Sequence, residues 1–298
     1  MKHTLKGLSL LLIFTLLMAV SPLSLAYVEP RSKTLEESST HDYGSLKIQI
    51  DRWLYEFKNH DLRFYLVDVL VDDPAQLRTA FAGDAYSKGD VEPTSDIAER
   101  NNAILAVNGD FYNYKDNIGL IIRNGVLYRD KATTRDLLLV YADGTFKGMP
   151  AGTHTTGSGE SYIAEGVVQA FCFGPLLVNN GEITELPKKY IISTKDTIRE
   201  PRTAIGQVSK NHYIVLIADG RRENWSDRGM TMQEMQKVFV ELGCQVAYNL
   251  DGGGSTTLIL DGEKINRSSG SHERNVSDIV CFTVGSEADA APAQTAAP

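Results

Sequence analysis

A glycine-rich segment in the C-terminal third of the chain has the composition of a ligand-binding loop. The segment Asp251-Gly252-Gly253-Gly254-Ser255 lies between two stretches that are typical of strands, 245–250 and 256–260. Consecutive glycines weaken any regular element, but they let backbone N–H groups approach a ligand and form an anion-binding nest. The carboxylate and the hydroxyl that bracket the glycines favour a site over a plain turn. The segment is not a nucleotide-binding phosphate loop, because no Gly-Lys-Ser/Thr follows it.

Polar clusters lie at the ends of several other predicted strands. Asp219-Gly220-Arg221 ends one strand, and its arginine can hold phosphate oxygens with several N–H donors. Arg202-Thr203 opens another strand, Asn108-Gly109-Asp110 follows a short buried one, and Arg274 precedes the last. If these strand ends converge, the cleft contains carboxylates, arginines and free backbone amides. Such a cleft suits an anionic, polyhydroxylated ligand.

Tight turns dominate the elements that must position these residues. Asn124-Gly125 and Asp143-Gly144 each lie between apolar runs and predict β-hairpins. The clearest helix is 232–242, where Thr231 and Glu234 match a capping box. Many strands joined by tight turns, with few helices, predict an α+β domain with a largely antiparallel or mixed sheet and a few packed helices. A doubly wound sheet would need a helix in nearly every crossover.

The N-terminus has the layout of a secretory signal peptide. Lys2 and Lys6 precede an apolar run at 8–20, and Ser24-Leu25-Ala26 fits a signal-peptidase site. We therefore assign 1–26 to a signal peptide and expect the protein to be secreted or to lie in the cell envelope. The apolar run is shorter than the roughly 20 residues of a membrane-spanning helix. No stable membrane span is expected unless the signal remains uncleaved as an anchor.

Composition divides the remainder of the chain into an ordered body and two tails. Residues 27–43 and 286–298 lack the apolar surface that would offset the entropy of ordering, so both are predicted to be disordered. The body at 44–285 contains no linker-like break and is predicted to be one domain. The formal net charge of −8 argues against nucleic acid as a partner. The three cysteines have no metal-ligand spacing and are either buried thiols or include one disulfide: they are Cys172, Cys244 and Cys281.

Taken in chain order, these motifs resemble the phosphodiester glycosidase family. The resemblance runs from about 64 to 282, and it is carried by Asn-Gly-Asp-Phe-Tyr at 108–112, Pro-Arg-Thr-Ala-Ile-Gly at 201–206, Asp-Gly-Arg at 219–221, Gly-Met-Thr at 229–231, Asn-Leu-Asp-Gly-Gly-Gly-Ser at 249–255, Asn266 and Arg274. It implies an exported hydrolase that cleaves the glycosidic bond of a sugar-1-phosphodiester, in envelope or exopolysaccharide metabolism. The sequence departs from the family at Asp110, where relatives often have Gly, Ser or Ala, so no catalytic role is implied for Asp110.

The candidate residues then divide by role. A phosphate leaving group is already an anion near neutral pH, so it needs charge stabilisation more than protonation, and one carboxylate can suffice. Asp251 is the first candidate for that carboxylate and Asp219 the second. Arginines and loop amides are expected to bind the phosphate, and asparagines the sugar hydroxyls. The substrate-binding candidates are Asn108, Asp110, Arg202, Thr203, Arg221, Gly252, Gly253, Gly254, Ser255, Asn266 and Arg274.

Two other functions are open at the level of sequence. Asp110, Asp219 and Asp251 could ligate a hard divalent cation in a metal-dependent phosphodiesterase, which would break the P–O bond and lose activity with a chelator. A non-catalytic envelope glycan-binding module would bind a cell-wall polymer without releasing a product. The favoured hydrolase requires no cofactor, although a divalent cation is left open, and its expected partner is a sugar-phosphate or phosphodiester-linked glycan.

Overall fold

The computed structural model describes residues 29–285, apart from 87–88, 113–117, 189, 191, 193, 196–197 and 222–227. The predicted signal peptide at 1–26 and the predicted tail at 286–298 lie outside the described residues. The described part is an α+β domain built mostly from antiparallel strands, which confirms the predicted fold class. In chain order the strands are β1 (Ser32–Asp42), β2 (Leu46–Glu56), β3 (Asp61–Val71), β4 (Leu77–Phe81), β5 (Leu105–Asn108), β6 (Leu120–Arg123), β7 (Val126–Asp130), β8 (Leu137–Tyr141), β9 (Phe146–Met149), β10 (Val167–Phe171), β11 (Leu176–Asn179), β12 (Glu182–Ile183), β13 (Arg202–Ser209), β14 (His212–Ala218), β15 (Val246–Asn249), β16 (Leu258–Leu260), β17 (Glu263–Lys264) and β18 (Asp278–Phe282).

The strands form three sheets. The large sheet has the order β1-β2-β3-β14-β13-β15-β11-β12. A second sheet has the order β7-β6-β10-β8-β9, and a third has the order β17-β16-β5-β18-β4. The paired strands run antiparallel in all three sheets.

Both faces of the large sheet are buried, which explains why its central strands are almost continuously apolar. On β14, Val215 and Ile217 face a core shared with strands of the two smaller sheets. Ile214 and Leu216 face the opposite side, where they pack in the same cluster as Met235 of the longest helix. Side chains alternate between the two faces of a strand, so a strand with cores on both faces has no polar position in its middle.

Three α-helices occur among the described residues: α1 (Thr94–Arg100), α2 (Gly159–Ala164) and α3 (Met232–Glu241). The start of α3 confirms the predicted capping box. The Thr231 hydroxyl accepts a hydrogen bond from the Glu234 amide, and the Glu234 carboxylate accepts one from the Thr231 amide. In the part of the chain that the structure describes, no helix is long and apolar enough to cross a bilayer.

The predicted disorder of residues 27–43 is wrong for most of that segment. Residues Ser32–Asp42 form β1, which pairs along its length with β2 at the edge of the large sheet. Nearly all of its side chains are exposed, so composition gave no sign of order. Backbone hydrogen bonds to β2, rather than burial of apolar side chains, hold this strand.

The three cysteines are buried free thiols. Of the two interpretations that the sequence left open, the structure agrees with buried thiols and not with a disulfide.

A buried carboxylate at the start of α3 makes a testable contribution to stability. Arg199 donates to both oxygens of Glu234, at 2.5 and 2.6 Å. Burial alone would raise the pKa of Glu234, but hydrogen bonds from His60 and Arg199 lower it to about 2, from 4.5. A depressed acid pKa stabilises the fold above the unfolded value, and this stabilisation is lost as the pH falls from about 4.5 towards 2.

We expect Glu234→Gln to lower the free energy of unfolding at pH 7 by about 1.5–3 kcal/mol, because it removes a charged acceptor from Arg199. The difference from the wild type should shrink as the pH falls towards 2. Urea unfolding as a function of pH measures both effects. Glu241→Gln on the same helix is the matched control, since Glu241 is 40% exposed and its pair with Lys33 is on the surface. A constant deficit at all pH values would contradict the assignment.

Candidate active site

The predicted glycine loop connects two different sheets. Strand β15 belongs to the large sheet and β16 to the sheet built around β5, so residues 250–257 cross from one to the other. A Cβ on Gly252 would lie 2.6 Å from the Pro201 carbonyl oxygen, and Gly253 has a φ of +62°. The loop can pass this close to its neighbours because it carries no side chains at these positions.

Two of the three glycine amides bind the protein itself. The Gly252 N–H donates to Oδ1 of Asp251 at 2.9 Å, and the Gly253 N–H donates to the Pro201 carbonyl at 2.8 Å. The Gly254 amide has no hydrogen-bond partner among the described residues. The predicted nest of three amides is therefore reduced to one available donor, because the loop uses the other two to hold its own shape.

The Asp251 carboxylate lies in a short hydrogen-bonded chain. The Ser255 hydroxyl donates to Oδ2 of Asp251 at 2.6 Å and accepts from Nε and Nη2 of Arg274 at 3.0 and 2.6 Å. Arg274 Nη2 also lies 3.5 Å from Oδ2 of Asp251. Burial raises the pKa of Asp251, whereas the Ser255 hydrogen bond and the Arg274 charge oppose the rise. The three side chains thus form one unit with a carboxylate at one end and a half-exposed guanidinium at the other.

The end of β5 fixes the backbone of Asp251 from both sides. The Asp251 amide donates to the Gly109 carbonyl at 3.2 Å, and Nδ2 of Asn108 donates to the Asp251 carbonyl at 2.6 Å. The Oδ1 of Asn108 accepts from the Thr203 hydroxyl at 2.7 Å and from the Thr257 amide at 3.2 Å. Asn108 and Thr203 are fully buried. In this structure both side chains hold the loop rather than a sugar hydroxyl.

The Asp110 carboxylate is also bound by groups of the protein itself. Its carboxylate accepts hydrogen bonds from the backbone amides of Cys172 and Phe173, at 2.7 and 2.8 Å. These two residues follow β10 and lead towards β11 of the large sheet. The carboxylate that sequence analysis placed among the substrate ligands therefore anchors a connection between sheets.

A buried ion cluster lies directly behind this strand end. The Arg123 Nε donates to Oδ2 of Asp278 at 2.8 Å, and Arg123 Nη2 lies 3.5 Å from Oδ2 of Asp110. The Asp278 Oδ1 accepts from the Asp110 amide at 2.8 Å, and the Asp278 carbonyl accepts from the Gly109 amide at 2.9 Å. Burial raises the pKa of Asp278 to about 7; Arg123 opposes this rise and Asp110 adds to it. The cluster holds the strand end that in turn holds Asp251.

Arg123 and Asp278 were not among the predicted site residues, although the sequence contains a signal for them. Each is a single charged residue in an otherwise apolar strand, β6 or β18. Both side chains are at most 2% exposed. Charged residues are almost never fully buried unless they are paired, so two such strands predict an ion pair between them.

Asp219, the second candidate for catalysis, holds a neighbouring segment. Its Oδ1 accepts from Nδ2 of Asn266 at 2.9 Å, and its Oδ2 accepts from the Arg267 amide at 3.1 Å. The Oδ1 of Asn266 accepts from the Leu258 amide at 2.7 Å. Through these two hydrogen bonds the buried amide group of Asn266 joins the end of β14 to the start of β16.

The predicted phosphate-binding arginines differ in exposure. Arg202 is buried and donates through Nε to the Met230 carbonyl at 3.0 Å, and burial lowers its pKa to about 10. Its Nη2 is buried without a hydrogen-bond partner among the described residues. Arg221 is 49% exposed and pairs with Glu200 at 2.6 Å. Its guanidinium lies against the glycine loop, 2.9 Å from where a Cβ of Gly253 would be.

A cavity of about 310 Å³ brings part of the predicted set together. It is lined by Asp251, Ser255 and Arg274, by the strand end at 108–110, and by the exposed ring of Phe111. Its size is in the range of small-ligand sites. It offers a carboxylate, a guanidinium, a hydroxyl and an aromatic face to one ligand. The predicted residues that do not line it are Thr203, Arg202, Arg221, Asp219, Asn266 and the three loop glycines.

Comparison with known proteins identifies the family. Residues 101–283 match the family model described as phosphodiester glycosidase. This match covers more than half of the chain, and the protein therefore belongs to the phosphodiester glycosidase family, as the sequence motifs predicted.

Several curated proteins are similar to this chain. The SPbeta prophage-derived uncharacterized protein YomE of Bacillus subtilis is 30% identical over 199 residues, which are 64% of this chain and 30% of that protein. The human N-acetylglucosamine-1-phosphodiester alpha-N-acetylglucosaminidase is 30% identical over 129 residues, which are 40% of this chain and 24% of that protein. The matched regions thus span less than a third of the length of these relatives.

Solved structures share the fold. The catalytic domain of the zebrafish N-acetylglucosamine-1-phosphodiester alpha-N-acetylglucosaminidase, auto-inhibited by its pro-peptide, superposes with a TM-score of 0.66 at 20% identity and covers 85% of this chain and 88% of that one. A hypothetical protein from Synechocystis superposes with a TM-score of 0.59 at 16% identity, covering 82% and 63%. At these identities the likeness concerns the fold alone.

The buried ion cluster predicts a large, pH-dependent effect of removing its cation. Arg123→Met leaves Asp110 and Asp278 facing each other in the interior, so we expect a loss of about 3–5 kcal/mol in the free energy of unfolding. Protonation of Asp278, whose pKa burial raises to about 7, relieves the repulsion, so the loss should be larger at pH 8 than at pH 5. Urea unfolding at the two pH values measures it.

Arg100→Met is the control for that experiment. Arg100 pairs with Asp84 and Glu92 at the surface, where such pairs contribute about 1 kcal/mol or less. An Arg123→Met variant as stable as the control at pH 8 would show that the cluster does not hold the strand ends.

The hydrogen-bonded chain at Asp251 predicts a shift in its titration. Ser255→Ala removes a hydrogen bond that lowers the pKa of Asp251, so the pKa of Asp251 should rise in this variant. Carboxyl ¹³C NMR of aspartate-labelled protein follows this titration. Ser38→Ala removes a similar bond to Asp51 on the edge strand and should leave Asp251 unchanged. An unchanged Asp251 titration in both variants would mean that Ser255 does not bind the carboxylate in solution.

Proposed function

We propose that this protein is an exported hydrolase that cleaves the glycosidic bond of a sugar-1-phosphodiester. The observation that carries the proposal is the unit formed by Asp251, Ser255 and Arg274 on the 310 Å³ cavity. Membership of the phosphodiester glycosidase family supports it. The human relative is named for an N-acetylglucosamine-1-phosphodiester, which belongs to the same substrate class.

The geometry suits a reaction with one carboxylate. Glycoside hydrolysis requires an acid to protonate the leaving oxygen unless the leaving group is stable as an anion. A phosphate monoester has its second pKa near ~6, so it leaves without a proton donor at neutral pH. In this proposal Asp251 acts on the anomeric carbon or on a water molecule beside it. Arg274, 51% exposed at the cavity, stabilises the negative charge on the departing phosphate.

The other predicted residues support this centre in the proposal. Arg221 lies against the glycine loop and can bind an anionic group that extends beyond the cavity. Asp219 is bound by Asn266 and Arg267 and does not line the cavity, so we place Asp251 ahead of it as the catalytic carboxylate. Asn108 positions the backbone of Asp251.

The metal-dependent alternative has weaker support in the geometry. Asp110, Asp219 and Asp251 each bind different protein groups. Among the described residues, no group of three His, Cys, Asp or Glu side chains is arranged to hold a metal ion. Our proposal therefore assigns no metal to the reaction.

Export and an envelope or exopolysaccharide substrate remain part of the proposal. They rest on the signal-like residues 1–26 and on what the family resemblance implies. Cell fractionation with a C-terminal tag tests the location, and recovery of the full-length protein in the cytoplasm would contradict it.

Hydrolysis of N-acetylglucosamine-1-phosphodiester substrates in ¹⁸O-labelled water tests the reaction. We expect the label on the sugar, because water attacks the anomeric carbon, and we expect no loss of rate with EDTA. Asp251→Asn should lower kcat by about a hundredfold or more. Asp143→Asn at an exposed hairpin is the control and should retain full activity.

Three outcomes of that experiment would overturn the proposal. Label on the phosphate together with loss of activity in EDTA would indicate the metal-dependent phosphodiesterase. Near wild-type turnover of Asp251→Asn would remove Asp251 from the reaction. Saturable binding of a cell-wall polymer without any product from the panel of phosphodiesters would indicate the glycan-binding module.

A further inference from the structure

A second cavity lies apart from the candidate active site and is larger. Its volume is about 580 Å³, and it lies between the β1–β2 hairpin and the β16–β17 hairpin. Residues that face the same way on β1, β2 and β3 line it, together with the turn after β16. The lining residues used below are Glu37, Ser39, Arg52, Tyr65, Asp261 and Glu263.

Tyr65 is a polar group turned towards this cavity without a partner. The residue is only 9% exposed. Its hydroxyl makes no hydrogen bond in the described part of the chain, whereas the Arg52 guanidinium lies over its ring at 5.8 Å. The hydroxyl oxygen is not one of the buried unpartnered atoms of the described residues, so it is the part of this largely buried side chain that opens to the cavity. The Tyr65 hydroxyl is therefore available to a ligand both as a donor and as an acceptor.

The charges around the cavity select the class of ligand. Glu37, Asp261 and Glu263 are acidic, and the Arg52 guanidinium is already paired with Glu37 at 2.8 Å. The excess of carboxylates disfavours a phosphate or another anion in this cavity. Hydroxyl and carboxylate groups are, by contrast, good partners for sugar hydroxyls. The lining thus fits a neutral or amine-bearing oligosaccharide.

A row of paired residues runs from this cavity to Thr203, a buried residue that supports the candidate active site from behind. Across the large sheet, Glu37 pairs with Arg52, Arg52 with Tyr65, Tyr65 with Ile217, and Ile217 with Thr203. Directly paired residues share one face of a sheet. Tyr65 and Thr203 are two strand spacings apart, roughly 10 Å. The Thr203 hydroxyl donates to Asn108, which holds Asp251.

The electrostatics of Tyr65 are consistent with this proximity. Burial is the main cause that raises the pKa of Tyr65; Arg52 opposes the rise, and the charge of Asp219 adds to it. Asp219 therefore lies within electrostatic range of the cavity. Asp219 is bound by Asn266, whose side chain also holds the start of β16 after the glycine loop.

We propose that the cavity between the two hairpins is a glycan subsite that binds a short neutral stretch of the substrate while its phosphodiester lies at Asp251 and Arg274. The substrate is then an oligosaccharide or polysaccharide rather than a small sugar-1-phosphodiester. This inference rests on the proposed function for the identity of the reacting group. The subsite itself is defined by its own contacts.

Binding of neutral trisaccharides to the full chain tests the subsite directly. Saturation-transfer NMR with chitotriose, cellotriose and maltotriose as probes should show saturable binding of at least one. Ser39 lies opposite Ile50 on the face that lines the cavity, so Ser39→Trp should abolish binding by filling it. Thr40 lies on the other face of the same strand, so Thr40→Trp is the matched control. This variant should bind the trisaccharides as the wild type does.

A smaller change tests the role of the phenol. Tyr65→Phe removes one hydroxyl and keeps the ring beneath Arg52, so it should weaken trisaccharide binding by roughly two- to tenfold. Tyr128→Phe on β7 removes a hydroxyl that does not line the cavity and should have no effect. The absence of saturable binding by all three probes, or equal binding by wild type and Ser39→Trp, would overturn the proposal.

Kinetics separate this proposal from the proposed function. Tyr65→Phe should raise KM for a phosphodiester that carries a neutral trisaccharide, and it should leave kcat/KM for the short phosphodiester unchanged. Hydrolysis of the short substrate without trisaccharide binding would overturn the subsite alone. Trisaccharide binding without hydrolysis of any phosphodiester would overturn the proposed function and leave the subsite in place.

Discussion

The buried ion cluster of Arg123, Asp278 and Asp110 is the constraint on which the candidate site depends. It ties the two smaller sheets together and reaches the connection to the large one through the amides after β10. Buried charges are tolerated only while they remain paired, so the three sheets cannot shift apart without a large loss of stability. The same cluster holds the end of β5, where Asn108 fixes Asp251. The position of the candidate catalytic carboxylate is therefore set by groups buried behind it.

Much of the fold could be predicted from the sequence where local chemistry determines it. Asn124 and Gly125 both have positive φ and connect β6 to β7, as an Asn-Gly hairpin requires. Thr231 and Glu234 cap α3 in the predicted way. The edge strand β1 could not be predicted, because its order depends on the open edge of β2 and not on its own composition. Order that depends on pairing with a neighbouring strand cannot be read from the composition of the segment itself.

The sequence predicted which strand ends lie together at the candidate site. It did not predict which of their residues face the cavity and which hold the loop. The strand ends that sequence analysis singled out do lie together around the glycine loop. Their residue types alone could not show that the side chains of Asn108 and Asp110 are bound by groups of the protein itself. Nor could they show that the loop glycines serve close packing more than anion binding. An amide or carboxylate side chain looks the same in a sequence whether it faces a ligand or the chain itself.

The pairing of β3 with β14 delays folding of the large sheet until late in the synthesis of the chain. These neighbours in the large sheet are encoded at 61–71 and 212–218, and all strands of the two smaller sheets come from the stretch between them or after them. Contacts between residues this far apart in sequence form slowly, because a long loop must close first. The nascent chain therefore remains without the centre of its large sheet until most of it has been synthesised. That delay suits a protein proposed to cross a membrane as an unfolded chain and to fold on the other side.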